Sequence, residues 1–145
     1  MASNVNSIRA ESPNTRNAGD IAALAGRILI SFLFILSGAS KAAAPAATIG
    51  YIDSAGLPLA PLGLAIAVAI ELGGGVALVL GYRARIAAIS MAAFSIAAAL
   101  GFHHDFADQN QFIHFMKNVA IAGGLLQVAA FGAGRFSLDS RRARR

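Results

Sequence analysis

The chain has no cysteine and no tryptophan. The first absence excludes disulfides, thiolate metal sites and cysteine-held iron–sulfur clusters. Charge is scarce as well: 13% of residues are Asp, Glu, Lys or Arg, against roughly a quarter in an ordinary soluble domain. There is no GxGxxG turn, no phosphate-cradling loop and no Ser-His-Asp elbow, so nothing supports a soluble hydrolase, a kinase or a nucleotide-binding enzyme. What the chain does have is apolar residues, 57% of its 145 positions. A small domain cannot hide that much apolar surface in a soluble core, and the alternative solvent is lipid. The formal charge of +5 sits in tails and short loops, where basic residues flank membrane spans. Nucleic acid is not an expected partner.

The stretch Gly26 to Lys41, GRILISFLFILSGASK, is a long apolar run with a cation near each end. At about 100° per residue, Arg27 and Lys41 fall within roughly 40° of one another around a helix. Ser31, Phe34 and Gly38 share their stripe, and Ile, Leu and Phe fill the other faces. A helix apolar nearly all round belongs in lipid or in a core.

Residues 1–20 are polar and read as a disordered tail. A signal peptide fits poorly, because the leading segment is long and carries Glu11 and Asp20. The first span is expected from Ile21 to Ala44, ended by Pro45, with a loop over 45–57. The second runs from Pro58 to Leu80, its prolines in the first turn where a helix tolerates them. The turn over 81–85 makes spans two and three antiparallel neighbours. The third covers Ile86 to Phe102, a polar loop lies over 103–113, and the fourth covers His114 to Phe131. Small residues recur at four-residue spacing (Ala69, Gly73, Ala77; Ala88, Ala92; Ala120, Gly124), which permits close helix contact in lipid. The expectation is an all-α membrane protein, a four-transmembrane-helix bundle over 21–134 with a basic tail over 135–145.

An even number of spans puts both termini on one side. That side would hold Arg9, Arg16, Arg83, Arg85, Arg135, Arg141, Arg142, Arg144 and Arg145, against Lys41 and Lys117 on the other. The positive-inside rule then makes both ends cytoplasmic.

Ionisable groups at membrane depth are costly and face a partner or a cavity. Arg27 would lie roughly 9 Å and Glu71 roughly 14 Å from the cytoplasmic ends of their spans, so an intramembrane Arg27–Glu71 ion pair is expected. Its role is either a structural clamp or the handling of a proton or ligand. On the outer face, Lys41, His103, His104, Asp105, His114, Lys117 and Asn118 form a second polar cluster. Histidines there could shuttle protons, and with the lysines hold a quinone head or an anion; the alternative is an ordinary interfacial loop with snorkelling lysines. His103 or His104, Asp105 and His114 match no recognised zinc spacing, and no metal is assigned. Gln127 is a lone polar residue deep in the fourth span, the type that joins helices.

Six stretches in order resemble the DoxX family of small bacterial membrane proteins. Gly26-Arg27 leads through Ser37-Gly38 to Lys41. Gly56-Leu57-Pro58 precedes span two, and Glu71-Leu72-Gly73-Gly74 is followed by Leu80-Gly81. His104-Asp105-Phe106 closes span three, Phe115-Met116-Lys117-Asn118 leads to Ala122-Gly123-Gly124, and Gly134 to Asp139 (GRFSLD) ends the core. The likeness spans Gly26 to Asp139, and differs where relatives often carry aromatics after the span-three histidine. It implies a multi-pass protein of the bacterial inner membrane, linked to quinone-dependent oxidoreduction. With no self-sufficient catalytic motif, the chain is expected as a subunit or partner of such a system, with quinone as the cofactor and a redox protein as partner. A non-catalytic anchor or assembly partner, and a small, self-associating transporter, are the other readings.

Overall fold

A computed structural model describes residues 13–144; residues 1–12, expected as tail, and Arg145 lie outside the described residues. The described chain is helical throughout, without strands. Helix α1 covers Pro13–Ala43 and α2 Pro45–Ser54. The second span is built of α3 (Ala60–Val68), a π-helical stretch (Ala69–Gly74) and α4 (Gly75–Leu80). Helix α5 covers Ala84–Phe102, α6 Gln109–Phe131 and α7 Leu138–Arg142. Among the described residues, four helical runs are long and apolar enough to cross a membrane: Asn17–Ala43, Ala60–Leu80, Ala84–Phe102 and Gln109–Phe131.

The stripe on α1 faces inward: Arg27, Ser31 and Phe34 are all buried, and Gly38 with them. Phe34 joins Leu78, Met91 and Leu125 in the main core with the alanines of α5, Ala84, Ala88 and Ala92. Most other large side chains point outward. Phe32 is 62% exposed and Phe131 80%, and just 11% of the fourth span's apolar window is buried against other helices. In water such faces would be costly; in lipid they are at no disadvantage. Between helices the contact is made by small residues. A Cβ on Gly75 would stand 2.7 Å from Ile35 Cγ1, and one on Gly74 would stand 2.9 Å from Met91 Cγ. Within the triple glycine these two positions serve packing, while Gly73 faces open space.

Three boundaries differ from expectation. Residues 13–20 continue α1 instead of forming a tail. Residues 45–54 form helix α2 where a loop was expected: Pro45 stands in the first turn, where its missing N–H costs nothing, and Ile52 packs on Ala60 and Leu64. Helix α6 starts at Gln109, not His114, because the Asp108 carboxylate accepts from the N–H groups of Asn110 (2.7 Å) and Gln111 (3.0 Å) and caps it.

The basic C-terminal segment is also no free tail. The Asp139 carboxylate accepts from the Arg83 and Ala84 N–H groups, both at 2.8 Å, and so caps α5 from across the chain. The Asp139 N–H donates to Gly81 O at 2.9 Å, and the Arg135 N–H to Asp20 Oδ1 at 3.1 Å. Both ends of the described chain therefore meet at one end of the bundle, here the terminal end. Arg83 itself sits in the left-handed region at φ 44°, where a non-glycine residue costs about 1 kcal/mol, and the Asp139 cap holds it there.

Candidate functional site

Arg27 and Glu71 are buried, and they do not meet. Arg27 donates through Nη1 to Leu78 O (2.9 Å) and Val79 O (3.1 Å), and through Nη2 to Phe136 O (2.6 Å). Its partners are thus the last carbonyls of α4 and the segment leading to α7. Glu71 pairs instead with Lys41, at 2.9 Å from Nζ to Oε1. This is the one ion pair among the described residues, and it replaces the expected Arg27–Glu71 pair. The reason is the lean of helical side chains toward the helix N-terminus. On α1 that lean takes Arg27 away from Glu71, down to the terminal end. The same lean carries Lys41 back along α1 toward Glu71.

Ser37 completes the arrangement. Lys41 Nζ donates to Ser37 Oγ at 2.6 Å, and Ser37 Oγ donates to Glu71 Oε1 at 3.1 Å. One carboxylate oxygen therefore receives two hydrogen bonds. The other, Oε2, is buried and has no partner. Glu71 belongs to the π-helical stretch, a local departure from the α ladder often found at functional sites. Gly38 makes room for it: a Cβ there would stand 2.9 Å from Glu71 Cβ.

Lys41 and Glu71 line a cavity of about 560 Å³ at the end of the bundle away from the termini. Its polar groups include Ser37, Ser95, His103 and Asn118, and its apolar walls come from all four spans and α2. Tyr51 on α2 stacks on Phe102 at the end of α5, with centroids 5.2 Å apart and planes 11° from parallel, and both rings line the cavity. Leu33 and Ile66 line it too while half exposed on the lipid-facing surface.

The expected outer cluster is only partly assembled. Lys41, His103 and Asn118 face the one cavity. His114 lies outside it but stacks on His103 at 5.1 Å, and His103 Nδ1 stands 2.8 Å from Gln111 Oε1. Asn118 donates to His114 O at 3.0 Å, one turn back on α6. Asp105 is spent on the turn, accepting from the Ala107 N–H at 3.1 Å. His104 and Lys117 are exposed and do not line the cavity. On α6 it is Asn118 and Ile121 that line the cavity, and Lys117, about 100° round the helix from Asn118, points away from it. Tyr51, Phe102 and Ser37 were missed as site residues; the signal for Ser37 was its place one turn before Lys41.

Comparison with known proteins agrees with this architecture. The DoxX family model matches residues 22–104, which carry Arg27, Ser37, Lys41, Glu71 and His103. The chain belongs to the DoxX family. It is 38% identical over 120 residues to the inner membrane protein YqjF of Escherichia coli K12, covering 83% of this chain and 91% of that protein. It is 35% identical over 124 residues to the inner membrane protein YphA of the same organism, covering 81% and 88%. No solved structure matches this DoxX chain. With four spans and these relatives, it is a multi-pass protein of the inner membrane.

Proposed function

We propose that this DoxX protein holds the head of a quinone in the cavity beside Lys41 and Glu71, as the membrane subunit or partner of a quinone-linked oxidoreductase system. The observation that carries the reading is the cavity itself. Its volume of about 560 Å³ lies in the range of small-molecule sites, which are apolar with a few placed polar groups. Here the walls are aliphatic and aromatic, and an ion pair waits at membrane depth. Lys41 Nζ has a third N–H to offer a ring oxygen. Half-exposed Leu33 and Ile66 supply an apolar entrance for a ligand dissolved in lipid. A quinone when bound supplies two-electron chemistry; the residues of this chain bind and orient it. The chain has no cysteine to hold an iron–sulfur cluster, and in this reading a partner protein exchanges electrons with the quinone. By the positive-inside rule the terminal end is cytoplasmic and the cavity lies in the outer half of the membrane.

A non-catalytic anchor is favoured by one other observation. The Arg142 guanidinium stands 4.8 Å over the Tyr82 ring at the terminal end, with no carboxylate partner among the described residues, ready for a docking protein.

The test is extraction from native membranes in mild detergent, followed by mass spectrometry of co-purifying lipids and proteins. The expected result is a quinone near one per chain, lost in Lys41→Met while chain abundance holds. A redox enzyme in fixed ratio would strengthen the reading. A preparation with neither quinone nor redox enzyme would overturn it in favour of the anchor.

A further inference from the structure

Two guanidiniums gather round one ring at the terminal end. Arg83 Cζ stands 5.9 Å and Arg142 Cζ 4.8 Å from the centroid of Tyr82. Neither is in an ion pair: among the described residues the one such pair is Lys41–Glu71, at the far end. The carboxylates of the terminal end, Asp20 and Asp139, are taken up by backbone N–H groups. Like charges collected in this way favour an anion. Tyr82 and Arg83 also close a groove of about 290 Å³ on the outer surface of the bundle. It runs between the second and third spans, past Ala69, Gly73 and Ala77 on one side and Ala87 on the other. From Ala77 to Ala69 it follows roughly 12 Å of helix at 1.5 Å per residue. Gly73 gives it depth. A Cβ there would meet nothing within 4 Å, so no packing inside the chain calls for this glycine, in contrast to Gly74 and Gly75. In a helix, glycine is disfavoured against alanine.

We propose that this groove seats an acyl chain of one anionic phospholipid of the cytoplasmic leaflet, whose phosphodiester is held by Arg83 and Arg142 beside Tyr82. The site stands apart from the quinone cavity, and neither reading needs the other. Guanidinium donors match the paired oxygens of a phosphodiester, and a tyrosine at headgroup level adds a hydroxyl. An acyl chain needs an apolar channel that opens at the height of its own phosphate. The groove begins where the arginines are and runs from there into the hydrocarbon. A second copy of the chain is disfavoured as the occupant: in one membrane its arginines come to the same height, and like charge would face like. An acidic soluble protein would reach the arginines but not the groove. The lipid satisfies both, with its charge at the rim and its chain along the small residues.

The test is native mass spectrometry of the full chain released from micelles, after addition of phosphatidylglycerol or of phosphatidylcholine with the same acyl chains. One phosphatidylglycerol per chain is expected to stay bound, about tenfold or more tighter than phosphatidylcholine, the scale for two arginines at an anionic headgroup. The double variant Arg83→Gln/Arg142→Gln is expected to lose that preference. Gly73→Leu fills the groove and leaves both arginines in place, and it is expected to lose the bound phosphatidylglycerol. Thermal melting checks that each variant is folded, and the comparison of the two lipids on the native chain decides even where a variant is not. Glycerophosphoglycerol, the headgroup without its chains, is expected not to displace the lipid. Equal retention of the two lipids by the native chain overturns the proposal. A folded Gly73→Leu chain that keeps its phosphatidylglycerol does so too, as does displacement by glycerophosphoglycerol, since either reduces the site to a basic patch. A lipid-free dimer, or a lipid-free complex with an acidic protein, overturns it in favour of that occupant. None of these outcomes bears on the quinone.

Discussion

The two ends of the bundle treat buried charge in opposite ways. At the terminal end the charged side chains that turn inward, Arg27, Asp139 and Asp20, bind backbone groups. Arg27 takes three carbonyls, Asp139 takes two N–H groups and Asp20 takes a third. Charge there is used to close helix ends and to hold the segment after α6 against the bundle. At the far end charge meets charge, Lys41 on Glu71, beside a cavity, and one oxygen is left open. Backbone partners hold position but admit no ligand; a side-chain pair beside a cavity does. The first end is a clasp, and the second is a site.

Substitutions sharpen that contrast. The largest effect is expected from Arg27→Met, which leaves three carbonyls of the clasp without their charged donor and costs about 3 kcal/mol or more. Thermal melting in detergent and membrane abundance both read it, and quinone retained by the surviving protein would keep Arg27 on the structural side. Loss of quinone with full abundance would break the contrast. Next comes Gly75→Ala, whose Cβ meets Ile35 at 2.7 Å. Crowding of this kind costs about 1–3 kcal/mol, and the melting temperature should fall without a change in ligand per folded chain. Asp139→Ala removes the cap of α5 and is expected to cost about 1–2 kcal/mol. Proteolysis of the segment after Gly132 should become faster in that variant, with the cavity unaffected. Glu71→Gln should move stability least, by about 1 kcal/mol, because the Lys41 and Ser37 bonds persist. A large loss of stability in this variant would make the far-end pair a clasp like the other.

The spans and the inward stripe of α1 were legible in the sequence because a long apolar run in lipid has one solution, a helix. Arg27 and Glu71 stood out for a related reason: few charges occur at that depth. Their partners did not. Counting residues from the span ends placed them near one another, and the lean of side chains along the helix outweighed that count. The π-helical turn under Glu71 left no mark beyond its glycines. Helix α2 was hidden by Pro45, which reads equally as a stop for α1 and as the first turn of a new helix. The clasp was hardest to see. Its bonds join Arg27 to Phe136 and Arg83 to Asp139 through backbone groups, and backbone carries no sequence signature. Asp108, by contrast, was a readable cap that would have placed the start of α6.

The clasp also has a place in time. A ribosome delivers Arg27 early, within the first span, and delivers Phe136 and Asp139 only after the fourth. Until then the arginine lacks one of its three acceptors and α5 lacks its cap. The segment after the fourth span thus adds the last fastening between the first span and the third.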